Sequence, residues 1–450
     1  MPDLTVTNWF GDIVSHPQIV VDANSVQDIV SVLKNPGQYP SPVRAVGSNH
    51  STTACGASEG GTLIRMKMNR ILNIAADSLT VEAGAIHIDL AQALAKQNLQ
   101  FYVNTEIGNL TAGSAACCGT KDSSFPGEFG QVGSYVTGVK MVLPSGDLLE
   151  VTDAQPDLMQ KVRASYGTFG IVYEVTFRIR PMLPLAVHHK TFHLADFIQQ
   201  LPELKALSYA MMYYIFPFDD LITVEFRSYN ANASGEPNKI IWPLRNYIWG
   251  TSGPKFAHDM GQTVADPKAR YGIIDAFNAL WRFKLENIIT SDNTVPADEI
   301  IRYPDVANDS RYTFSLFAFP EEQYPSVLSD FFKFCTSYYA QKGYRTDLLD
   351  VGYRIAQDQQ SLLSYSWDGP VMTIDPVSTG NPGWSGFIDA YNQFCSERNG
   401  KPVLNQTCAL TPDLAKKAFG SRLVTLEQTR KQYDPSGRLL NAYFRGILSS

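Results

Sequence analysis

Over its first 180 residues the chain alternates between short β-rich runs and helical patterns. "PQIVVDA", "PVRAV", "TLIRM" and "LTVEAGA" read as strands, whereas "SVQDIVSVLKN" and "HIDLAQALAKQ" repeat apolar residues at helical spacing. Such alternation predicts an α+β or α/β domain. Asn24 or Ser25 offers a side-chain acceptor to cap the helix running toward Lys34, and Pro36-Gly37 ends it. "GVKMVLPSGDLLEV" reads as two strands joined by a turn at Pro144-Ser145-Gly146-Asp147, and "GIVYEVTFRIRP" as a closing strand, with Pro181 and Pro184 marking the exit.

From about 185 to 405 the pattern shifts to aromatic-rich strands, "YAMMYYIFPF", "LITVEFRSY" and "YTFSLFAFP", with amphipathic helices such as "YPSVLSDFFKFCTSYYAQKG" between them. This predicts a separate antiparallel sheet with helices. The run Tyr209 to Phe218 fits either the lining of an apolar pocket or half of a sheet core. At 450 residues with 44% hydrophobic content, the chain has material for at least two cores. The expected division is residues 1–184, 185–405, and a segment 406–450 returning to the first domain.

Composition narrows the function. Lys and Arg number 37 against 44 Asp and Glu, a net charge of -7, so the basic surplus that phosphate backbones require is absent and nucleic acid is not an expected partner. The sequence has no signal-like start and no run near the roughly 20 apolar residues of a membrane span, which points to a cytoplasmic protein without a transmembrane segment. Its six cysteines show no CxxC spacing and read mostly as free, buried thiols. In "VHHKTFH", His188 and His189 point to opposite faces of a strand, so at most His189 and His193 share one, and no metal is expected.

Two segments rich in small residues carry the chemistry. "VGSNHSTTACG" (residues 46–56) follows a strand, and its Gly and Ser let the backbone approach a ligand and offer N–H groups to pyrophosphate oxygens; the alternative is an ordinary turn. "GNLTAGSAACCGTKDSSFPGEFGQVGSYV" (residues 108–136) is long for a linker inside a domain and reads as wrapping a ligand or as a mobile surface loop.

With "SYGTFGIV" and the tail "YDPSGRLLNAYF", these segments occur in an order that resembles the vanillyl-alcohol oxidase and p-cresol methylhydroxylase superfamily of FAD enzymes. The nearest resemblance is to the sugar-lactone and alditol oxidases, and "GKPVLNQT" with the tail is also similar to the decaprenylphosphoryl ribose oxidases. The resemblance implies a two-subdomain FAD-binding domain plus an antiparallel-sheet cap domain with helices, α+β in class. It places Gly47, Ser48, Asn49 and Ser51 around the pyrophosphate and puts His50 where many relatives attach the flavin covalently, the alternative being a non-bonded histidine lining the site. Thr111, Gly113, Ser114, Gly119 and Thr120 would line the diphosphate and isoalloxazine, Gly170 and Ile171 would meet the adenine end, and Asn441 of the tail is carried over as cofactor-binding. Relatives with a second, cysteinyl link have the cysteine where this chain has Ile107, Gly108 and Asn109, so a single link is implied; Cys117 and Cys118 read as small buried residues.

On the substrate side the chain departs from the pattern. Lys121 and Asp122 replace the usual His-Gly, with Lys121 either offsetting charge on reduced flavin or lying exposed. "VGYRIAQD" retains Arg354 of a Glu-x-Arg motif but has Gly352 in the glutamate position, and Arg354 would bind substrate or flavin or form a surface salt bridge. Where relatives have Arg-Pro-His-Trp-x-Lys, residues 401–406 read Lys-Pro-Val-Leu-Asn-Gln, so both the histidine and the lysine are absent and a polar amide, Gln406 with Asn405, must orient what binds there. A base for a substrate hydroxyl would come from Tyr353, Tyr365, Asp358 or Tyr213. The expected catalytic set is therefore Arg354, Gln406, Tyr353 and Tyr365. The expected activity is hydride transfer from a substrate CH–OH to the flavin of an oxidase or dehydrogenase, with oxygen or another acceptor and a bulky, partly apolar substrate. C–N or C–C oxidation, oxidative cyclisation, and a non-catalytic flavin-scaffold protein are the alternatives.

Overall fold

A computed structural model describes residues 4–237, 241–304 and 308–448; the outermost ends of the expected division, residues 1–3 and 449–450, lie outside the described residues. The first unit is a parallel sheet of β1 (Ile19–Ala23), β2 (Val43–Val46) and β3 (Thr62–Met66), with β3 in the middle. Helix α1 (Val26–Lys34) buries Ile29, Val32 and Leu33. Of the two candidate caps, Ser25 is used: its hydroxyl accepts from Asp28 N at 3.3 Å, while the Asp28 carboxylate accepts from Ser25 N at 2.9 Å.

The second unit is antiparallel. Its strands are β4 (Ile71–Ile74), β5 (Ser78–Glu82), β6 (Leu99–Phe101), β7 (Val136–Val142), β8 (Leu148–Thr152) and β9 (Ile171–Pro181), in the order β8-β7-β9-β5-β4, with β6 also on β9. Leu79, Val81, Val139, Met141 and Phe177 pack against α2 (His87–Ala95) and α3 (Ala112–Cys117). Helix α3 lies inside the segment expected as a continuous ligand-wrapping loop. Its Ala115, Ala116 and Cys117 are buried, and small side chains let a helix sit this close to the sheet.

The third unit is one antiparallel sheet of eight strands: β10 (Leu185–His193), β11 (Ala210–Phe216), β12 (Leu221–Tyr229), β13 (Ser291–Thr294), β14 (Phe317–Pro320), β15 (Asp350–Ile355), β16 (Val371–Ile374) and β17 (Lys401–Pro402), ordered β13-β10-β12-β11-β15-β16-β14-β17. Helices α4 (Leu194–Ala206), α6 (Tyr324–Lys342) and α7 (Trp384–Glu397) contribute to the core on one face, and α5 (Pro267–Asn287) supplies Trp281 and Leu285 to the core on the other. Because side chains alternate along a strand, Met211, Tyr213 and Ile215 join the first core and Met212 and Tyr214 the second. Both readings of the Tyr209–Phe218 run are thus realised, one on each face. The fold is α+β. Among the described residues, no helix is long and apolar enough to cross a membrane.

A buried arginine fastens the C-terminal tail to the first sheet. On β2, Arg44 donates to the carbonyls of Cys55, Tyr166, Gly167 and Leu439, while Val43 N donates to Arg438 O at 2.9 Å. Four carbonyls from three separate segments would each lose a donor if Arg44 became Met, and among the described residues only that of Cys55 would keep another, Asn441 Nδ2 at 3.3 Å. That substitution is expected to lower stability by about 3 kcal/mol, since buried acceptors left unpaired cost roughly 1–3 kcal/mol each and do not add fully. Urea unfolding measures it; a loss below about 1 kcal/mol, the range of a single ordinary hydrogen bond, would show that the brace is dispensable.

Candidate functional site

The loop after β2 is held open by its neighbours. Trp9 N donates to Asn49 O at 2.7 Å, Asn8 Nδ2 to Ser51 O at 3.0 Å, and Asn49 Nδ2 to Thr7 O at 2.9 Å. Asn49 has φ of 54°, in the left-handed region, which turns the backbone into a concave bend. Among the described residues, the backbone N–H groups of Ser48, Asn49, His50 and Ser51 donate to no protein acceptor. A Cβ on Gly47 would fall 2.1 Å from Thr111 Oγ1, so only glycine lets this loop meet the start of α3.

Against this loop lies a cavity that encloses, with the solvent space at its mouth, about 1080 Å³. Gly47, Ser48, Asn49, His50 and Ser51 form one wall, Thr111, Gly113 and Ser114 another, and Gly170 and Ile171 a third; Thr120 and Gln406 also line it. His50 is half-buried and stacked on Trp9 at 4.7 Å, and its Nε2, shielded from solvent, has no hydrogen-bond partner. Burial, with the Arg311 charge second, pushes its pKa down to about 3, so the imidazole is neutral at ordinary pH. Asn405 Oδ1 is a further buried, unpartnered acceptor on the cavity wall. Free backbone donors and a neutral imidazole suit an FAD.

Two expected cofactor residues lie elsewhere. Gly119 is not on the cavity wall, and a Cβ there would meet Val403, Asn405 and the Tyr166 hydroxyl. Asn441 acts from behind the wall: its Nδ2 donates to the carbonyls of Ala54 and Ala57 at 2.9 Å each, supporting the turn after the His50 loop.

A second cavity, about 1120 Å³, meets the first at Ile107, Leu110, Thr120, Phe314 and Gln406. Its walls are largely aromatic and aliphatic, including Met212, Tyr214, Trp249, Phe277, Tyr303 and Val351. Into this apolar space project Glu106, Lys121, Tyr353 and Asp375. Lys121 Nζ lies 3.2 Å from Asp375 Oδ2 and 3.3 Å from the centroid of the Tyr353 ring, and the Tyr353 hydroxyl donates to Glu106 Oε2 at 3.2 Å. Burial pulls the Lys121 pKa down, offset by Asp375, and burial pushes that of Asp375 up to about 6 against the pull of Lys121 and Thr373.

Of the expected catalytic set, Gln406 and Tyr353 reach the cavities. Tyr365 is buried with its hydroxyl unpartnered but lines neither. Arg354 is on the wrong face of β15: its neighbours Val351 and Tyr353 point to the cavity, and Arg354 points away to Glu321, with Nε to Oε2 at 3.0 Å. The space beside Gly352 is taken by Tyr213, whose ring would lie 2.0 Å from a Cβ there. Among the other candidate bases, Tyr213 donates to Thr373 O at 3.1 Å within the opposite core, and Asp358 is bound by Ser134. His189 pairs with Glu225 at 3.0 Å, whereas His193 is beside Asp220, so the two do not converge.

The side chain of Lys121 is largely covered rather than exposed. It was legible only as a departure from a motif, because its burial depends on Asp375, more than 250 positions away. Asp375 and Glu106 were missed. The one signal was an acid ending the apolar run "VMTI", a position where an unpaired charge is costly.

An FAD binding domain family matches residues 17–152. The L-gulono-1,4-lactone dehydrogenase of Mycobacterium tuberculosis is 24% identical over 216 residues, 48% of this chain and 50% of that protein. The L-gulonolactone oxidase of Bos taurus is 23% identical over 238 residues, 52% and 54% of the two chains. The chain thus spans about half the length of the curated relatives it matches. Among solved structures, a cholesterol oxidase from B. sterolicum superposes with a TM-score of 0.76 at 15% identity, covering 99% of this chain and 97% of that one. A solvent-stable cholesterol oxidase gives 0.74 at 16% identity, with the same coverage. These likenesses to solved structures are likenesses of fold. Residues 17–152 thus match an FAD binding domain, and over nearly its whole length the chain shares the fold of these cholesterol oxidases, in keeping with the resemblance to the vanillyl-alcohol oxidase and p-cresol methylhydroxylase superfamily.

Proposed function

We propose that the protein is an FAD-dependent oxidoreductase that removes hydride from a CH–OH group of a bulky, largely apolar and uncharged substrate. One observation carries the reading: a cavity walled by the FAD-binding loops opens at Gln406 and Thr120 into a second, mostly apolar cavity holding a few buried polar groups. Bound flavin supplies the two-electron acceptor. The chain's own residues then do the rest. The backbone of residues 48–51 and the start of α3 hold the diphosphate. The aromatic walls exclude water and orient the substrate by shape, and Gln406 at the junction offers both a donor and an acceptor to its hydroxyl. Relatives named as lactone and cholesterol oxidases act on such groups, which supports the reaction class. The division at 184 and 405 and a cytoplasmic location belong to the same reading, with oxygen or another acceptor taking the electrons.

The purified protein should be yellow and should oxidise apolar alcohols in preference to polar ones. Screening 1-decanol, cyclohexanol and cholesterol against xylitol and L-gulono-1,4-lactone, with peroxide and dye-reduction readouts, tests this. A colourless preparation that takes up no FAD ends the flavoenzyme reading, and a preference for xylitol ends the apolar one.

His50 is proposed to carry the flavin covalently, because its neutral, unpartnered imidazole lines the FAD cavity and a ring nitrogen must be unprotonated to form such a bond. Acid precipitation should leave flavin fluorescence in the wild-type pellet and release it to the supernatant in His50→Ala. Wild-type flavin found in the supernatant refutes the link.

Gln406→Ala should lower kcat/KM about 10-fold or more, the loss of a buried polar contact to the reacting hydroxyl being worth at least about 1.4 kcal/mol. Arg354→Ala should leave KM within about twofold, since its side chain faces away from the cavity; steady-state kinetics on the best alcohol distinguishes the two.

A further inference from the structure

The second cavity contains acids and tyrosines, but most are already engaged. Glu106 is bonded by Arg245 and by the Tyr353 hydroxyl. Asp347 accepts from the Ser378 hydroxyl and Thr379 N, at 3.0 Å each, and from the Thr379 hydroxyl. Burial holds the Tyr353 phenol well above its ordinary range, so it is a donor and not a base. Asp375 differs. Its Oδ2 faces Lys121 Nζ at 3.2 Å, while Oδ1, buried on the cavity wall, receives no hydrogen bond. A buried carboxylate oxygen without a partner is costly, and a ligand hydroxyl is the group that would satisfy it.

Its place in the fold brings it to the junction. Asp375 follows β16 directly and pairs with Val351, its N donating to Val351 O at 2.8 Å, which puts its side chain on the same face as Val351 and Tyr353. Residues 315 and 316 then tie this strand end to the junction amide: Ser315 N donates to Pro376 O at 3.2 Å and Leu316 N to Gln406 O at 3.0 Å. From the other side, Lys121 follows Thr120, which lines both cavities. The acid, its lysine and the junction residues form one continuous polar spot in an apolar chamber.

We propose that Asp375 is the catalytic base, its Oδ1 accepting the proton of the substrate hydroxyl, with Lys121 as the positioning residue that keeps the carboxylate charged and oriented. The inference rests on the CH–OH reading above. The step balances: the O–H bond breaks and its proton passes to Asp375, the carbinol C–H bond breaks and its hydride passes to flavin, and the C–O bond becomes a carbonyl. The substrate loses two electrons and the flavin gains them. The proton is later released to solvent, restoring the carboxylate.

A base must be deprotonated to act, so kcat/KM should rise with pH through the Asp375 pKa, which burial raises to about 6. The groups facing Asp375 are Lys121, with Asp122 and Glu106 beyond it, Asp350 on β15, the Thr373 hydroxyl, the phenols of Tyr353 and Tyr365, and, from the opposite core, those of Tyr213, Tyr324 and Tyr391. Of these, only Lys121 is a cation in contact with the carboxylate. Removing its charge should therefore move the acid limb to higher pH.

The test compares wild-type, Asp375→Asn, Asp375→Glu and Lys121→Met holoenzyme, with flavin content and melting temperature recorded for each. Infrared difference titration, which needs no turnover, should show a carboxylic C=O band appearing as pH falls through about 6 in the wild type, absent in Asp375→Asn and titrating at higher pH in Lys121→Met. With the fastest alcohol of the panel, Asp375→Asn should lose about 10²–10⁴-fold in kcat, the usual worth of a general base, with a much smaller change in KM and no acid limb. Asp375→Glu should keep the limb and part of the rate. Retention of kcat within about tenfold in Asp375→Asn, an unchanged limb, or no band assignable to Asp375 overturns the proposal. Should Asp375→Asn not fold, the Lys121→Met limb decides: an upward shift supports the base and an unshifted limb overturns it. An enzyme that holds no flavin or oxidises no alcohol removes the reading and the proposal together. An active one indifferent to Asp375→Asn removes the proposal alone.

Discussion

The two halves of the molecule meet through buried charge, and the site depends on how that charge is neutralised. Three residues of the first half, Glu106, Lys121 and Asp122, pair across the seam with Arg245, Asp375 and Arg227 of the second. Such pairs contribute little net stability, because desolvating two charges cancels most of their attraction. Breaking one by removing a partner costs about 3–5 kcal/mol, since the survivor is left unpaired in an apolar setting. Their value here is registration. Apolar surfaces slide at small cost, whereas these pairs are satisfied in one docking of the eight-stranded sheet on the cofactor loops. In that docking Gln406 and Thr120 line both cavities.

The same network reaches deeper into the cap. Arg227 also binds Glu225, which accepts from the Tyr214 hydroxyl at 2.8 Å and faces His189 at 3.0 Å. Tyr214 lines the substrate cavity and Asp122 follows Lys121 directly, so the wall and the polar spot share one set of charges. Glu299, beside Arg227, has its pKa pushed up to about 7, chiefly by burial. Polar residues thus define the geometry of a chamber whose surface is largely apolar.

What the sequence disclosed follows from the range of the forces involved. A cap at Asn24 or Ser25, the Pro144–Asp147 turn and the alternation of strands are local, decided within a few residues, and they read directly. The cofactor loop was legible as chemistry because Gly47 and the free N–H groups of residues 48–51 are properties of a short segment. The substrate side was not. Arg354 retained a motif residue, yet strand parity turns it to Glu321 and brings Tyr353 to the cavity, and parity cannot be read from a motif when both faces of β15 are buried. Lys121 and Asp375 become a pair only after the sheet is assembled, so neither residue carries a local signature of the other.

Charge balance within the second cavity also bears on what it admits. Lys121 is matched by Asp375 and Glu106 by Arg245, while Asp347 is held by neutral donors, Ser378 and Thr379, so the lining shows no unmatched cation to draw an anion out of water. An anionic substrate would pay its desolvation in full against walls built from Trp249, Phe277 and Tyr303. A neutral, bulky molecule pays little and gains by apolar burial at roughly 25 cal/mol per Å². Its one polar demand, a hydroxyl needing a partner, is met where the apolar lining gives way to Gln406, Asp375 and Lys121. On the proposed reading, the lining would select the body of the substrate, and the polar spot which of its carbons faces the cofactor.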